Sequence, residues 1–395
     1  MTPLDGFDVP GGFLWGASTS AHQTEGNNTT SDWWALEQEP ESFVKEPSRD
    51  AADSFHRWEE DMDLLAAAGF TDYRFSIEWA RIEPVDGQFS LAALAHYRAM
   101  IDGALARGLR PLITLHHFTT PAWFARQGGW GAPGAVDRYL RYAEAVAPIL
   151  RDGVERVCTI NEPNVVSVFD RLLNEGVSVF EGGIPEPDEV IANALIEAHG
   201  RAGVLLREQV PGLQIGWCVA VIDVQAAPDA HAQAEQWVRS RLDPFLNAAR
   251  DDDWIGVQTY TRIRIGNREG EPVRLRAEGG AARTLTGWEY YPSALGGAVR
   301  FTAARTGLPV IVTENGIATD DDAQRIAYTS DALRSLQEAM ADGVDVRGYF
   351  HWSLLDNYEW GDYAPTYGLV AVDPTTFART PKPSLAWLGG LARSA

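Results

Sequence analysis

The chain has 395 residues, of which 45% are hydrophobic and 22% charged, so it can bury a large core and lacks the composition of a disordered protein. Its 55 acidic and 33 basic side chains give a formal net charge of −22, which would repel nucleic acid phosphates and anionic lipid surfaces. We therefore expect neither nucleic acid nor a membrane as a partner, although an acidic surface also simply favours solubility.

The first residues, MTPLDGFDVPGGFLWGAS, contain no basic stretch followed by an apolar one, and no apolar run approaches the length of a membrane span. We therefore expect a cytoplasmic location. The two cysteines, Cys158 and Cys218, each lie in an apolar, strand-like run. This setting favours buried, reduced thiols over a disulfide framework.

Eight short runs rich in Val, Ile, Phe, Tyr and Trp alternate with longer stretches in which apolar residues recur every three or four positions. This alternation predicts strand–helix units around a parallel sheet. In chain order the predicted strands are FLWGAS (13–18), YRFSI (73–77), PLITLHH (111–117), VCTINE (157–162), IGWCVA (215–220), WIGVQTY (254–260), PVIVTENG (309–316) and VRGYFHWSLL (346–355).

Eight such units predict an α/β fold, a single (β/α)8 TIM barrel spanning residues 1–395, because a parallel sheet of this size removes its edges by closing. A doubly wound open sheet is the alternative. Two segments interrupt the alternation: the acidic EQEPESFVKEPSRD (37–50) and the Gly- and Arg-rich stretch 265–285. We expect both to be long loops on the barrel rim.

The active site of such a barrel forms at the carboxyl ends of its strands, so polar residues that end the apolar runs are the candidate site residues. The adjacent His116 and His117 should point to opposite faces of their strand. The residues selected in this way are Arg74, His117, Asn161, Glu162, Gln258, Tyr260, Glu314, Asn315 and Trp352.

Two of these residues, Glu162 and Glu314, are carboxylates that end different strands, and each is flanked by an asparagine. Taken alone, either one is compatible with an ordinary surface carboxylate. A facing pair suits glycoside cleavage, in which one carboxyl protonates the leaving oxygen and the other meets the anomeric carbon. Metal binding is the rival use of clustered Glu, His and Asp, but HExxH and repeated Asp-x-Asp spacings are absent, and we expect no metal and no cofactor.

The chain has 14 tryptophans, and several lie near the predicted strand ends. Sugars stack their C–H faces on such rings, whereas a single tryptophan is more often part of a core. The tryptophans that we expect beside the barrel mouth are Trp15, Trp33, Trp34, Trp123, Trp130, Trp352 and Trp360.

Six segments together resemble glycoside hydrolase family 1 in order and spacing. They are FLWGASTSAHQTEG (13–26), YRFSIEWARIEP (73–84), TLHHFTTPAWF (114–124), TINEPN (159–164), VTENG (312–316) and FHWSLLDNYEW (350–360). The resemblance implies a single (β/α)8 barrel and retaining hydrolysis of β-linked glucosides, galactosides or fucosides.

The same resemblance assigns the catalytic roles. Glu162 matches the general acid/base and Glu314 the nucleophile, with Arg74 keeping Glu314 ionised. Asn161 would bind the sugar 2-hydroxyl, and Tyr260 would hydrogen-bond the nucleophile. Two carboxyl groups about 5 Å apart repel strongly enough to raise the pKa of one of them by about two units, so Glu162 can remain protonated near neutral pH.

The sugar-binding positions also follow from the resemblance. Gln23, His117 and Glu359 match residues that bind hydroxyls of the nonreducing sugar, Trp360 lies beside them, and Trp352 matches the stacking platform. A carboxylate at Glu359 would repel a 6-phosphate, so the expected partner is an unphosphorylated small β-glycoside or oligosaccharide.

Two segments depart from the family pattern. Phe118, Thr119 and Thr120 stand where many members have Trp, Asp and Leu, and Gln258 and Thr259 stand for Asn and Tyr. A transglycosylase using the same covalent intermediate and a non-catalytic sugar-binding barrel are the alternative functions. The sequence does not separate them, and it leaves the natural sugar, the linkage preference and the oligomeric state open.

Overall fold

The barrel predicted from the sequence is present in the computed structural model, which describes residues 4, 6–169, 185–277 and 279–394. Eight parallel strands form a closed ring, which excludes the doubly wound open sheet. The predicted strands agree with the observed ones to within a few residues, the sixth and eighth being shorter than predicted. The barrel strands are β1 (Leu14–Ser18), β2 (Asp72–Ser76), β3 (Arg110–His116), β4 (Arg156–Asn161), β5 (Gln214–Ala220), β7 (Ile255–Gln258), β10 (Val310–Asn315) and β11 (Val346–Trp352).

Helices connect these strands and cover the outside of the barrel, where their apolar faces are buried. Side-chain caps define several helix starts, because Ser90, Asp188 and Asp321 each accept a hydrogen bond from a backbone N–H in the first turn. None of the helices in the described ranges combines the length and apolar content needed to cross a bilayer. The helices are α1 (Ala21–Thr24), α2 (Asp32–Glu37), α3 (Ser54–Ala68), α4 (Trp79–Ile82), α5 (Leu91–Ala106), α6 (Ala122–Arg126), α7 (Ala135–Leu150), α8 (Pro163–Val166), α9 (Glu189–Gln209), α10 (His231–Arg241), α11 (Asp243–Ala248), α12 (Ala294–Thr306), α13 (Asp322–Ala341) and α14 (Pro383–Ser394), with short 3-10 turns at Gly129–Gly131 and Ala249–Asp251.

The prediction of a long loop over residues 265–285 was wrong for its first half. There β8 (Arg262–Arg268) and β9 (Glu271–Leu275) form an antiparallel hairpin, and β6 (Asp223–Ala226) pairs in parallel with β8. The hairpin turn is made by Glu269 and Gly270, both with positive φ, which glycine adopts without strain. Segment 37–50 has no helix or strand beyond the end of α2 and is the expected loop. Two further short strands, β12 (Val370–Val372) and β13 (Arg379–Pro381), pair with each other.

The buried aromatic residues belong to two different regions. Trp15 packs against Phe7 and Phe13, and its backbone N–H donates to Asp72 at the start of β2, so it lies at the amino end of the barrel. Trp123 and Trp130 pack among the helices around Trp79. The prediction that Trp15, Trp123 and Trp130 border the mouth was therefore wrong, because these rings fill core space.

The paired histidines and the cysteines are placed as expected. His116 faces outward and packs edge-on against Trp130 and Tyr139, where burial lowers its pKa to about 3. His117 faces the barrel mouth. Cys158 and Cys218 are buried free thiols.

Glu78, which begins α4 just beyond β2, should make stability depend on pH. Its carboxyl accepts hydrogen bonds from the Ala80 N–H and from Thr119 Oγ1. Burial, together with the charge of Glu25, raises its pKa from 4.5 to about 7. Since the folded state holds this proton more tightly than the unfolded state, the contribution of Glu78 is most favourable below about pH 4.5 and is lost as the pH rises through 7. The full change in the contribution of Glu78 to the free energy of unfolding is up to about 3 kcal/mol.

Glu78→Gln mimics the neutral carboxyl and should remove this pH dependence. At each pH, the melting temperature of wild type is subtracted from that of the variant. We expect this difference to be more positive by a few degrees at pH 8 than at pH 5. Thermal unfolding at both pH values checks this, with the exposed loop variant Glu39→Gln as control. A difference that stays constant with pH would contradict the assignment.

Candidate active site

The ends of four barrel strands bring polar side chains together at the mouth. Glu314 on β10 lies directly opposite Gln258 on β7, after a register shift between Val312 and Glu314. A similar shift precedes Asn161, where β4 pairs with β5. Such irregularities turn side chains away from the regular alternation of a strand, and here they occur where the strands reach the site.

The Glu314 carboxylate is held by three donors from three other positions in the fold. Its Oε1 accepts from Arg74 Nη1 at 2.6 Å and from Gln258 Nε2 at 2.7 Å, and its Oε2 accepts from Tyr260 Oη at 2.7 Å. Burial and the charge of Glu314 keep the pKa of Tyr260 well above its ordinary value, so its hydroxyl stays a donor. Only 4% of Glu314 is exposed, so the orientation of the carboxylate is set by these contacts.

Asn161 belongs to the same network. Its Oδ1 accepts from Arg74 Nη2 and from Gln258 Nε2, the latter at 2.7 Å. Its Nδ2 lies 3.4 Å from His117 Nε2. The structure therefore connects Arg74, His117, Asn161, Tyr260 and Glu314 through hydrogen bonds.

Glu162 follows β4 directly and caps the short helix α8. Its backbone is left-handed, with φ of 46°, and Pro163 occupies the first helical position, where a missing N–H costs nothing. The Glu162 N–H donates to the Cys218 carbonyl of β5 at 2.7 Å, which ties this turn to the barrel. Left-handed backbone at a non-glycine residue is uncommon and often occurs at functional sites.

The two glutamates differ in what surrounds them. Burial first, and then the negative charge of Glu314, raise the pKa of Glu162 well above its ordinary value, and no hydrogen bond from a described residue stabilises its charged form. Burial also raises the pKa of Glu314, but Arg74 and Tyr260 oppose this rise. The surroundings therefore favour the charged form of Glu314 more than that of Glu162.

Aromatic rings form one wall next to this pair. The His117 ring is stacked on Trp352 at 5.9 Å and lies parallel to Trp360 at 6.3 Å. Trp352 Nε1 donates to Glu359 Oε1 at 3.2 Å. Because His117 also contacts Asn161, the wall and the polar network lie together at the barrel mouth.

Gln23 lies behind this wall and joins it to β1. Its Nε2 donates to Asn357 Oδ1 at 3.1 Å and to the Tyr358 carbonyl at 2.8 Å, and its Oε1 accepts from Ser20 Oγ. Both N–H groups of Gln23 are thus used to hold the segment that carries Glu359. Only the second lone pair of Oε1 remains for a ligand.

Sequence reasoning missed Trp288 at this site and gave no role to His22 or Gln258. Trp288 packs on Tyr260 at 5.5 Å, in a turn closed by the Thr284 N–H and the Trp288 carbonyl. His22 stacks on Trp360 at 5.7 Å. Gln258 was noted at a strand end without a role. The aromatic-rich segment GWEYYP (287–292) was the available signal for Trp288, and His22 lies directly before Gln23 in the family-like segment FLWGASTSAHQTEG (13–26).

Comparison with known proteins bears directly on this site. The sequence profile described as Glycosyl hydrolase family 1 matches residues 7–249 and 244–395. The thermostable beta-glucosidase B of Thermobispora bispora is 31% identical over 97% of this chain and 90% of its own length. The crystal structure of beta-glycosidase BGL167 is 41% identical, with a TM-score of 0.89 over 98% of this chain and 97% of that chain.

A third similar structure is the beta-glucosidase of Thermotoga maritima in complex with glucoimidazole, which is 26% identical with a TM-score of 0.88 over 99% of both chains. The profile match, the identity to curated β-glucosidases and the closed barrel agree with one another. This chain therefore belongs to glycosyl hydrolase family 1 and is a glycoside hydrolase of the β-glucosidase type.

Proposed function

We propose that this protein is a retaining, exo-acting β-glycosidase that hydrolyses unphosphorylated β-D-glucosides by double displacement. The observation that carries the proposal is the contrast between the two glutamates. Glu314 is held as a carboxylate by Arg74 and Tyr260, and burial and the charge of Glu314 raise the pKa of Glu162. This mechanism requires one carboxylate that attacks the anomeric carbon and one carboxyl group that donates a proton to the leaving oxygen.

In the first step Glu314 attacks the anomeric carbon while Glu162 protonates the glycosidic oxygen. The bond between the anomeric carbon and the leaving oxygen breaks, an ester to Glu314 forms, and the aglycone leaves as an alcohol. Tyr260 and Arg74 hold the attacking carboxylate in place, so little reorientation is needed when the substrate arrives.

In the second step Glu162 changes from acid to base. The ester at Glu314 carries no charge, so the electrostatic cause of the raised Glu162 pKa is removed and this pKa falls. The ionised Glu162 takes a proton from water, and the resulting hydroxide displaces Glu314 from the sugar. Two inversions at the same carbon give net retention of the β configuration.

The wall around Trp352 would hold the nonreducing sugar. Trp352 offers a ring face, His117 and Glu359 offer hydrogen bonds to hydroxyls, and Trp360 lies parallel to His117. Gln23 would contribute its remaining oxygen lone pair. The binding of glucoimidazole by the related Thermotoga maritima enzyme supports a glucose-sized ligand in this subsite.

The polar composition of this subsite also supports an unphosphorylated sugar. Burial raises the pKa of Glu359, and no described cation is paired with it. A phosphate group beside this carboxyl would find no compensating cation among the described residues. We therefore expect 4-nitrophenyl β-glucoside to be cleaved and its 6-phosphate to be a poor substrate.

The test is to follow product stereochemistry directly. Wild-type protein should release nitrophenol from 4-nitrophenyl β-glucoside, and NMR of the fresh product should show the β anomer of glucose first. An α anomer would overturn the retaining mechanism, and no release from the glucoside, galactoside or fucoside would favour a non-catalytic barrel. Addition of an alcohol acceptor reveals transglycosylation as a new alkyl glycoside.

A further inference from the structure

We propose that Gln258 is a positioning residue that couples the nucleophile Glu314 to Asn161, the residue assigned to the sugar 2-hydroxyl. The inference rests on the proposed function. A single nitrogen, Gln258 Nε2, lies 2.7 Å from both Glu314 Oε1 and Asn161 Oδ1. An amide nitrogen carries two N–H groups, so each oxygen receives one of them.

Arg74 spans the same two oxygens from another strand. Its Nη1 donates to Glu314 Oε1 and its Nη2 to Asn161 Oδ1, so four groups form a closed ring of alternating donors and acceptors. Arg74 and Gln258 are 0% and 1% exposed. In such a dry environment each of these hydrogen bonds is stronger than it would be in water.

The ring determines the orientation of both amides. A flipped Gln258 would set its carbonyl oxygen against two acceptors, so only the observed orientation is compatible with both neighbours. Asn161 Oδ1 is occupied by two donors, and its Nδ2 is consequently the atom that turns towards His117 and the sugar. Gln258 thereby makes Asn161 a hydrogen-bond donor to the 2-hydroxyl.

The ring also distinguishes the two oxygens of Glu314. Oε1 accepts from Arg74 and Gln258, whereas Oε2 accepts from Tyr260 alone among the described residues. A carboxylate oxygen has two lone-pair positions, so Oε2 retains the one that is free. We therefore assign Oε2 as the atom that attacks the anomeric carbon.

The other end of the Gln258 amide supports a positioning role. Its Oε1 is buried and has no hydrogen-bond partner among the described residues. An unpaired buried carbonyl is unfavourable, so the two donated bonds decide where this side chain lies. Strand pairing fixes the backbone of Gln258, because this residue is paired with Glu314 on β10 and with Ala220 on β5.

The experiment compares Gln258→Met and Gln258→Glu with wild type on 4-nitrophenyl β-glucoside and on its 2-deoxy analogue. Met keeps the length of the side chain but removes both donors. Loss of a hydrogen bond to a charged group should reduce kcat/KM on the glucoside by about 10- to 100-fold. On the 2-deoxy analogue the substitution should reduce kcat/KM by a factor at least about 3-fold smaller than on the glucoside. The analogue has no 2-hydroxyl, so the contribution of the hydrogen bond from Asn161 is already absent in wild type.

A pH profile gives a second readout, which loss of packing alone would not move. The acid limb of kcat/KM, set by ionisation of Glu314, should shift to higher pH in Gln258→Met and further in Gln258→Glu, which places a second carboxylate beside Glu314. The exposed variant Gln127→Met serves as control, and melting temperatures verify folding. Equal losses on the two substrates, or an unmoved acid limb, would overturn the coupling alone; an inactive wild type would overturn the proposed function and the inference with it.

Discussion

Glu314→Gly should reduce kcat on 4-nitrophenyl β-glucoside by about 10⁵-fold, because in the proposed mechanism its carboxylate forms the ester to the anomeric carbon. The remaining donors are arranged around a carboxylate that is no longer there. Arg74, Gln258 and Tyr260 all direct their hydrogens at Glu314, and none is a nucleophile at neutral pH. Steady-state assays together with thermal unfolding separate this loss from a loss of folding.

Azide should restore turnover in this variant and reveal the face from which attack occurs. Glycine leaves a space where the carboxylate was, next to the Arg74 guanidinium, which suits a small anion. Azide entering there attacks the face opposite the leaving group and gives an α-glycosyl azide in a single inversion. Wild type with azide provides the control. Activity within tenfold of wild type, or a β-configured azide as the rescued product, would remove Glu314 from the role of nucleophile.

The barrel could be predicted because its strands are buried on both faces. Continuous apolar runs mark each strand, and the polar residue that ends the run marks the mouth, which is how Glu162 and Glu314 were found. The hairpin β8–β9 was missed because only one of its faces is buried. Ile263 and Ile265 alternate there with arginines, and the Gly- and Arg-rich composition hid that alternation.

The position of an aromatic residue along its strand was harder to predict. Trp15 lies at the start of β1 and fills the core, whereas Trp352 ends β11 and reaches the mouth. Amino-acid composition does not distinguish these two tryptophans. Only the register of the folded barrel separates a tryptophan that supports the site from one that lines it.

The difference between the two glutamates also depends on contacts that the local sequence does not contain. Arg74 is 240 positions from Glu314 along the chain, and Tyr260 is 54 positions away. Local sequence around both glutamates is similar, since each has an asparagine neighbour at a strand end. Family resemblance assigns a role to each glutamate, and the folded environment supplies a physical reason for that assignment.

Glu162→Gln should separate formation of the glycosyl ester from its hydrolysis. With 2,4-dinitrophenyl β-glucoside the leaving group needs no proton, so the ester should still form at Glu314. Hydrolysis then lacks its base, and kcat should fall by about 10²- to 10⁴-fold. Stopped-flow measurements should therefore show a rapid burst of about one dinitrophenolate per active site, followed by slow turnover.

Two further observations test the same assignment. Azide needs no base, so it should accelerate turnover of Glu162→Gln and yield a β-glycosyl azide, the opposite configuration to that expected from Glu314→Gly. The alkaline limb of kcat/KM in wild type should reflect loss of the Glu162 proton, whose pKa is raised by burial and by Glu314, and this limb should disappear in the variant. A variant that shows no burst and keeps the alkaline limb would mean that another group donates the proton, and the raised pKa of Glu162 would then have no part in catalysis.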